Sequence, residues 1–247
     1  MNHLEQLAAA QREAFLSGPG LPERPSPVRP FGVAHEGPAV LIAEFKRSSP
    51  SHGAFAGPAR AEQLRRYEGL GAAAVSVLVA GEGFGGSVAD LAAARTETSL
   101  PLLYKGFVSL PEQIDEAYAY GADAVLLIAA LLGPQLPSFL RRAEESGLAA
   151  LCEVHDADEL DLALRAGARL IGVNNRDLRT LEVDTGRFLT LAPRARGALL
   201  VAESGYRTRR AVREAVAAGA RGILVGEALL ARSELDAPWS EVLRDVG

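Results

Sequence analysis

Cysteine and histidine are too scarce in this sequence to support chemistry that depends on clusters of either residue. The only cysteine, Cys152, excludes an internal disulfide and a multi-cysteine metal site, and its place in an apolar run predicts a small buried side chain. The 4 histidines are scattered, and no two of them have the spacing of metal ligands. We therefore expect no metal site.

The chain also lacks an excess of positive charge and a long apolar run. Its 26 basic and 31 acidic residues give a net charge of −5, which argues against nucleic acid as the main partner. The N-terminal stretch carries Glu5, Gln11 and Glu13 where a signal peptide needs an unbroken apolar core, and no run approaches membrane-spanning length. We therefore expect a cytoplasmic protein without a membrane partner.

Lysine is nearly absent, and its two positions are alike. Of the 26 basic residues, Lys46 and Lys105 are the only lysines, and each closes an apolar run, at residues 41–45 and 100–104. A buried lysine can shift its pKa and release a proton, whereas an arginine guanidinium stays charged. Chance in an arginine-rich composition is the alternative, but the matching positions favour lysines retained for proton transfer.

The chain divides into an N-terminal extension and a repeating region. Residues 3–17 have the spacing of an amphipathic helix. The residues predicted for its apolar side are Leu4, Leu7, Ala8, Phe15 and Leu16. Residues 18–30 hold five prolines and two glycines, so they form a connection that neither a helix nor a sheet absorbs. We predict one domain over residues 1–247, with the helix and proline-rich linker over 1–38 and the remainder over 39–247.

From residue 39 onward, apolar β-rich runs alternate with helical segments at intervals of roughly 25 residues. The predicted strands are 39–46, 73–79, 100–105, 123–129, 148–154, 169–174, 198–203 and 221–226. The predicted helices are 58–70, 87–98, 111–120, 135–147, 156–166, 185–193, 207–219 and 235–245. Such repeated βαβ units predict a parallel sheet closed into a (β/α)8 TIM barrel. A doubly wound open sheet is the alternative, but its glycine-rich dinucleotide turn after the first strand is missing.

Polar residues end five of the eight predicted strands, at the end of the barrel where active sites of this fold lie. They are Glu44 and Lys46, Lys105, Glu153, Asn174 with Arg176, and Glu203 with Ser204. Side chains alternate along a strand, so Glu44 and Lys46 share one face with Ile42. Ion networks that close the barrel are the structural alternative, but they would not need lysine in place of arginine. We therefore predict an active site at this rim.

Glycine follows the last two predicted strands, at Gly205 and Gly226, and a short helix is expected from Glu227. Glycines let backbone N–H groups approach an anion, a helix N-terminus adds positive potential, and phosphate sites of such barrels follow strands seven and eight. Ser49 and Ser51, in the loop after the first strand, supply further hydroxyl donors. We predict that Gly205, Gly226 and Glu227 bind the phosphate of a small-molecule substrate, with Ser49 and Ser51 as the further donors.

Seven stretches together resemble indole-3-glycerol-phosphate synthase, a phosphate-binding barrel of tryptophan biosynthesis. They are IAEFKRSSPSHG (42–53), FGGSVADL (84–91), GADAVLLIAALL (121–132), CEVHDADEL (152–160), IGVNNRDLRTLEVD (171–184), VAESG (201–205) and ILVGEALL (223–230). They span nearly the whole predicted barrel in the family's order. The N-terminal helix and linker look like the extension that this family carries before its first strand.

The resemblance implies a carbon–carbon lyase, a monomer by default, that uses no cofactor or metal. Its substrate would be 1-(2-carboxyphenylamino)-1-deoxyribulose 5-phosphate, which undergoes ring closure, decarboxylation and dehydration to indole-3-glycerol phosphate. Lys105 matches the general acid, and Glu153 the carboxylate that handles the proton removed in dehydration. Glu44 and Lys46 match a coupled catalytic pair, in which Lys46 meets the substrate carboxylate or shares the acid role. The other matching positions are the substrate-holding residues Asn174, Arg176, Glu203 and Ser204, the phosphate-side residues Ser49, Gly205, Gly226 and Glu227, and Phe107 with Phe84 as walls for the aromatic ring.

The sequence departs from the family pattern beside the predicted general acid. The family usually has aspartate after this lysine, where the chain has Gly106, and it commonly has threonine and glutamate where the chain has Val79 and Ala80. The missing carboxylate changes how Lys105 is oriented or how its pKa is set.

Two alternatives to the synthase stay open at this point. A phosphoribosylanthranilate-isomerase-like barrel should carry an early general-base cysteine, whereas Cys152 falls on the fifth predicted strand. An inactive relative that keeps only a phosphate ligand should have lost Lys46, Glu153 or Arg176, and each of these matches the family motif. Both alternatives therefore rank behind the synthase.

Overall fold

The structure, a computed structural model, describes residues 2–33, 36–49, 53–54, 59–81, 83–177 and 180–244. Its strands are β1 (Val40–Phe45), β2 (Ser48–Ser49), β3 (Gly53–Ala54), β4 (Ala74–Leu78), β5 (Leu102–Lys105), β6 (Ala124–Ile128), β7 (Ala149–Val154), β8 (Leu170–Asn174), β9 (Leu199–Glu203) and β10 (Ala220–Val225). Strands β2 and β3 form a small antiparallel pair. The other eight form a closed parallel barrel, in which β1 pairs with both β4 and β10.

Helices alternate with the barrel strands, which confirms the predicted (β/α)8 fold. They are α1 (His3–Leu16), α2 (Arg60–Gly69), α3 (Val88–Glu97), α4 (Glu112–Ala119), α5 (Ala129–Leu132), α6 (Leu136–Glu145), α7 (Ala157–Ala166), α8 (Gly186–Leu191), α9 (Arg209–Ala217), α10 (Glu227–Leu230) and α11 (Trp239–Val242). Within the described ranges, no helix has the length and apolar character needed to cross a membrane.

Alternation along the strands separates an outer core from the barrel interior. In β1, Leu41 and Ala43 join the core between barrel and helices, whereas Ile42 belongs to the cluster inside the barrel. Leu103, Leu151 and Val201 occupy the same interior cluster. Since side chains repeat every two residues, the residue two positions after each of these points into the upper end of the barrel. Those residues are Glu44, Lys105, Glu153 and Glu203.

Helix α1 lies across the mouth of the barrel. A capping box starts it: the Asn2 side chain accepts a hydrogen bond from the backbone N–H of Glu5, and the Glu5 carboxylate accepts one from that of Asn2. Its buried face is Leu4, Leu7, Ala8 and Gln11. The predicted apolar side was wrong at Leu16, which is 64% exposed. The helical period places Leu16 on a different side of the helix from Leu4, and Gln11 is buried on the side of Leu4 instead.

The proline-rich linker is fastened at the opposite end of the barrel. Asp123, immediately before β6, is fully buried, and its Oδ1 lies 2.9 Å from Arg24 Nη2 in the linker. Its Oδ2 lies 2.9 Å from Arg95 Nη1 of α3. Phe31, further along the linker, packs with the interior cluster. The extension is therefore tied to the barrel at both of its ends.

The last predicted helix is shorter than expected. It was predicted over 235–245, but α11 spans Trp239–Val242, and residue 245 lies outside the described residues. Pro238 has no backbone N–H to continue a helix, so the helix begins after it. Trp239 is buried, and its indole N–H donates to the carbonyl of Ala39 at 2.9 Å.

Candidate active site

One cavity at the C-terminal ends of the strands gathers most of the residues predicted from the sequence. Those that line it are Glu44, Lys46, Phe84, Lys105, Phe107, Glu153, Asn174, Arg176, Ser204, Gly205, Gly226 and Glu227. The strand register explains this convergence, because parallel strands bring all their C-terminal ends to the same rim. The side chain of Ser49 and the whole of Ser51 lie outside the described residues.

Lys105 is surrounded by three carboxylates. Its Nζ lies 2.6 Å from Glu203 Oε2, 3.8 Å from Glu44 Oε2 and 3.9 Å from Glu153 Oε2. Burial by itself lowers the pKa of the ammonium, but the charges of Glu203, Glu44 and Glu153 outweigh it and raise the pKa above its usual value. Lys105 therefore carries its proton at neutral pH.

Glu203 lies beneath the cavity rather than on its surface. It is fully buried, and its Oε1 has no hydrogen-bond partner among the described residues. A Cβ on Gly172 would overlap this oxygen, so only glycine there leaves room for the carboxylate. Burial raises the pKa of Glu203, and Lys105 opposes that shift. Its contact in the structure is with Lys105, and its predicted contact with the substrate stays a prediction.

Glu153 faces Lys105 on one side and His155 on the other. Its Oε1 lies 3.3 Å from His155 Nε2, and His155 Nδ1 lies 3.0 Å from Glu159 Oε2. Burial by itself raises the pKa of Glu153, but His155 and Lys105 lower it to about 2. Burial by itself lowers the pKa of His155, but Glu153 and Glu159 raise it to about 10. Glu153 is therefore ionised at neutral pH beside an imidazolium.

Glu44 and Lys46 form an ion pair at the end of β1. Lys46 Nζ lies 2.9 Å from Glu44 Oε1 and 3.7 Å from Glu227 Oε1. Burial by itself raises the pKa of Glu44, but Lys46 and Lys105 lower it below its usual value. A Cβ on Gly226 would lie 2.5 Å from Glu44 Oε1. Gly226, predicted for phosphate binding, therefore also leaves space for this carboxylate.

The Glu227 carboxylate lies among positively charged side chains at the rim. Its Oε2 lies 2.9 Å from Arg207 Nη2, and its Oε1 lies 3.4 Å from Arg176 Nη2. The Asn174 side chain accepts a hydrogen bond from the backbone N–H of Arg176 at 3.0 Å. This bond fixes the backbone just after β8, from which the Arg176 side chain extends. With its carboxylate among arginines, Glu227 can serve a phosphate only through its backbone N–H.

A left-handed turn after β9 carries Ser204, predicted to hold the substrate, and Gly205, predicted to bind its phosphate. Ser204 has a φ of 63° and Gly205 a φ of 84°. A left-handed φ costs a non-glycine residue about 1–3 kcal/mol, so Ser204 is strained at the edge of the cavity. A Cβ on Gly205 would lie 2.5 Å from Val183 Cγ1 and 2.9 Å from Thr185 Cγ2. Both φ and crowding therefore require glycine at position 205.

The side of the cavity away from these charges is apolar. The rings of Phe84 and Phe107 have centroids 6.0 Å apart and are tilted by 39°. Leu4 and Leu7 of α1 complete this wall. A ligand that fits the cavity would therefore place an aromatic part against rings and leucines and its anionic groups toward the strand ends.

The chain is similar to known proteins over most of its length. A family model described as indole-3-glycerol phosphate synthase matches residues 31–242. The chain is 48% identical to the indole-3-glycerol phosphate synthase of Parafrankia sp. (strain EAN1pec) over 245 residues, which covers 92% of this chain and 90% of that protein. It is 46% identical to indole-3-glycerol phosphate synthase 1 of Streptomyces coelicolor over 231 residues, covering 90% and 85%. For the Deinococcus radiodurans protein of the same name, the identity is 47% over 200 residues, covering 79% and 74%.

The chain belongs to the indole-3-glycerol phosphate synthase family. This confirms the resemblance read from the sequence and favours the decarboxylating lyase of tryptophan biosynthesis over both alternatives. The family match begins at residue 31, after α1, and includes every predicted site residue. Among the described residues, no group of three or more His, Cys, Asp and Glu side chains is arranged to hold a metal ion.

Three residues of this synthase-family site were not predicted from the sequence. His155 follows Glu153 by two positions and therefore shares its face, so strand alternation was a usable signal. Gly172 shares a face with Asn174, but nothing local shows that a carboxylate from β9 lies above it. Nothing near Arg207 indicates that it pairs with Glu227, which lies on another element.

Proposed function

We propose that this protein converts 1-(2-carboxyphenylamino)-1-deoxyribulose 5-phosphate into indole-3-glycerol phosphate, with release of carbon dioxide and water. Membership of the family supports the overall reaction. The observation that carries the residue assignment is Lys105, held protonated by carboxylates beside an ionised Glu153 in one cavity. An acid and a base lie side by side there in the charge states that the reaction needs.

Lys105 is the general acid of ring closure. As the aromatic carbon that bears the carboxylate attacks the ketone carbon, electrons move to the ketone oxygen, which takes a proton from the ammonium. Loss of carbon dioxide from the same aromatic carbon then restores the ring. Glu203, 2.6 Å away, holds the ammonium in place, so its proposed effect on the substrate is exerted through Lys105.

Glu153 is the base of the dehydration step. The new hydroxyl leaves as water after it takes a proton from Lys46, the second lysine that lines the cavity, while a carboxylate removes the proton whose loss completes the indole double bond. The pKa of Glu153, lowered to about 2, keeps it ionised for this task. His155 holds this carboxylate on its other side.

The remaining residues hold the two anionic ends and the ring of the substrate. Lys46, with its partner Glu44, meets the substrate carboxylate, and Asn174 and Arg176 hold the anthranilate part and the hydroxyls with Ser204. The phosphate lies against the backbone at Gly205, Gly226 and Glu227, with Ser49 from the loop after β1. Phe84 and Phe107 enclose the aromatic ring.

Turnover of this substrate by the purified protein, followed by indole fluorescence, is the direct test. We expect Lys105→Met and Glu153→Gln each to lower kcat by at least about 100-fold, the usual contribution of a general acid or base. Lys105→Arg is the matched control, since it keeps the positive charge on a group that does not give up a proton near neutral pH. Wild-type turnover by Lys105→Met would remove Lys105 from the mechanism, and an inactive wild type would remove the proposed reaction.

We further propose that the chain acts as a single-domain monomer in the cytoplasm, without cofactor, metal or nucleic-acid partner. The two attachments of the extension to the barrel and the net charge of −5 support this arrangement. Light scattering on the purified protein tests the monomer, and full turnover in the presence of a chelator tests the absence of a metal requirement.

A further inference from the structure

Gly106, which directly follows Lys105, is closely surrounded by the side chains of Gln11 and Val79. A Cβ there would overlap Gln11 Nε2, lie 2.8 Å from Gln11 Oε1 and lie 2.9 Å from Val79 Cγ2. The backbone at Gly106 is not left-handed, so its conformation does not require glycine. A side chain at position 106 would therefore displace its neighbours, and the nearest of these is the amide of Gln11 from helix α1.

Both ends of the Gln11 amide are engaged, and its contacts bracket Lys105. Its Nε2 donates to the Tyr104 hydroxyl at 2.7 Å, and its Oε1 accepts from the backbone N–H of Phe107 at 2.7 Å. The Tyr104 hydroxyl in turn donates to Glu116 Oε2 of α4 at 2.7 Å. Gln11 is buried, so these contacts are shielded from water and their loss leaves polar groups unpaired.

The same helix face carries the apolar wall of the cavity. Leu7 and Leu4 lie one and two turns before Gln11, and both line the cavity with Phe107. The contact between Gln11 and the strand end therefore sets how closely these leucines approach a bound ligand. It also fixes the Tyr104 side chain before Lys105 and the Phe107 backbone after it.

We infer that Gln11 is a positioning residue for the substrate's aromatic part. The absence of a side chain at Gly106 leaves the space that the Gln11 amide occupies. In this chain an amide from the N-terminal helix occupies the space beside the general acid that a side chain at position 106 would fill. The inference rests on the proposed function for its kinetic consequences, whereas the match between the two residues stands on geometry alone.

The kinetic test compares Gln11→Ala and Gln11→Met with Gln6→Ala, an exposed glutamine on the same helix. We expect both Gln11 variants to raise KM by at least about tenfold with a smaller change in kcat, since a displaced wall weakens substrate positioning. Gln6→Ala should match the wild type. A variant that unfolds more easily but keeps the wild-type KM would show a merely structural role and overturn the inference. Wild-type KM in Gln11→Met would overturn the hydrogen-bonding argument.

A stability cycle tests the pair without any turnover. We expect Gly106→Ala to lower the urea midpoint in the wild-type background and to lower it less in a Gln11→Ala background, where the overlapping amide is gone. Equal shifts in the two backgrounds would show that positions 11 and 106 act independently, and would overturn the inference that the two residues are matched. Failure of the proposed function is distinguishable, because it would abolish wild-type turnover while leaving this cycle intact.

Discussion

Replacing Glu203 with glutamine should make Lys105 a stronger acid. The substitution keeps the size of the side chain but removes the charge nearest to the ammonium, at 2.6 Å. With an effective dielectric constant of about 20, that contact is worth about 6 kcal/mol, against about 4 kcal/mol for each of the carboxylates at 3.8 Å and 3.9 Å. Glu203 is therefore the carboxylate that contributes most to the raised pKa of Lys105.

The Coulomb value sets an upper limit of about 4 pK units, and relaxation of the site reduces it, so we expect a fall of about 1 to 3 units. Activity is lost as pH rises through the pKa of Lys105, because the acid then has no proton to donate. A lower pKa moves this loss to lower pH in the profile of kcat/KM. The fold should survive, since Glu44 and Glu153 still face the ammonium.

Glu214→Gln is the matched control, because it removes the same charge from the exposed surface of α9. Its alkaline limb should coincide with that of the wild type. An unchanged alkaline limb in Glu203→Gln, with a folded protein confirmed by circular dichroism, would refute the assignment of that limb to Lys105 held by Glu203.

Three further substitutions probe neighbouring contacts. Gly172→Ala should displace the Glu203 carboxylate that its Cβ overlaps and lower kcat by about tenfold or more; a crystal structure with Glu203 unmoved would contradict this. His155→Gln should raise the pKa of Glu153, so that activity is lost at a higher pH on acidification. An unchanged acid limb would show that His155 does not set the pKa of Glu153. Asp123→Asn removes the carboxylate that pairs with two buried guanidinium groups. It should lower the free energy of unfolding in urea by about 3–5 kcal/mol without changing KM.

Local periodicity was enough to predict the fold and the positions of the charged side chains. The alternation of strand and helix predicted the barrel, and the two-residue period predicted that Glu44 follows Ile42 into its interior. Both signals are contained within a few neighbouring residues, so no knowledge of distant contacts was needed.

The contacts that tune the site could not be predicted in the same way. Nothing near Gln11 indicates that its partners are Tyr104 and Phe107, 93 and 96 residues later. The position of Glu203 beneath the cavity depends on the bare backbone of Gly172 on the neighbouring strand. Such contacts arise from the closed barrel as a whole.

The docking of α1 onto β5 also orders events during synthesis on the ribosome. Gln11 leaves the ribosome 96 residues before Phe107, its partner. At translation rates of about 5–20 residues per second, the helix waits roughly 5 to 20 s for its docking surface, with Leu4 and Leu7 exposed. Strand β1 finds its first neighbour, β4, soon after it is made, but its second neighbour, β10, only once Gly222 is made. The first barrel strand is therefore among the last to have both of its edges paired, so the barrel closes only when its final strand is complete.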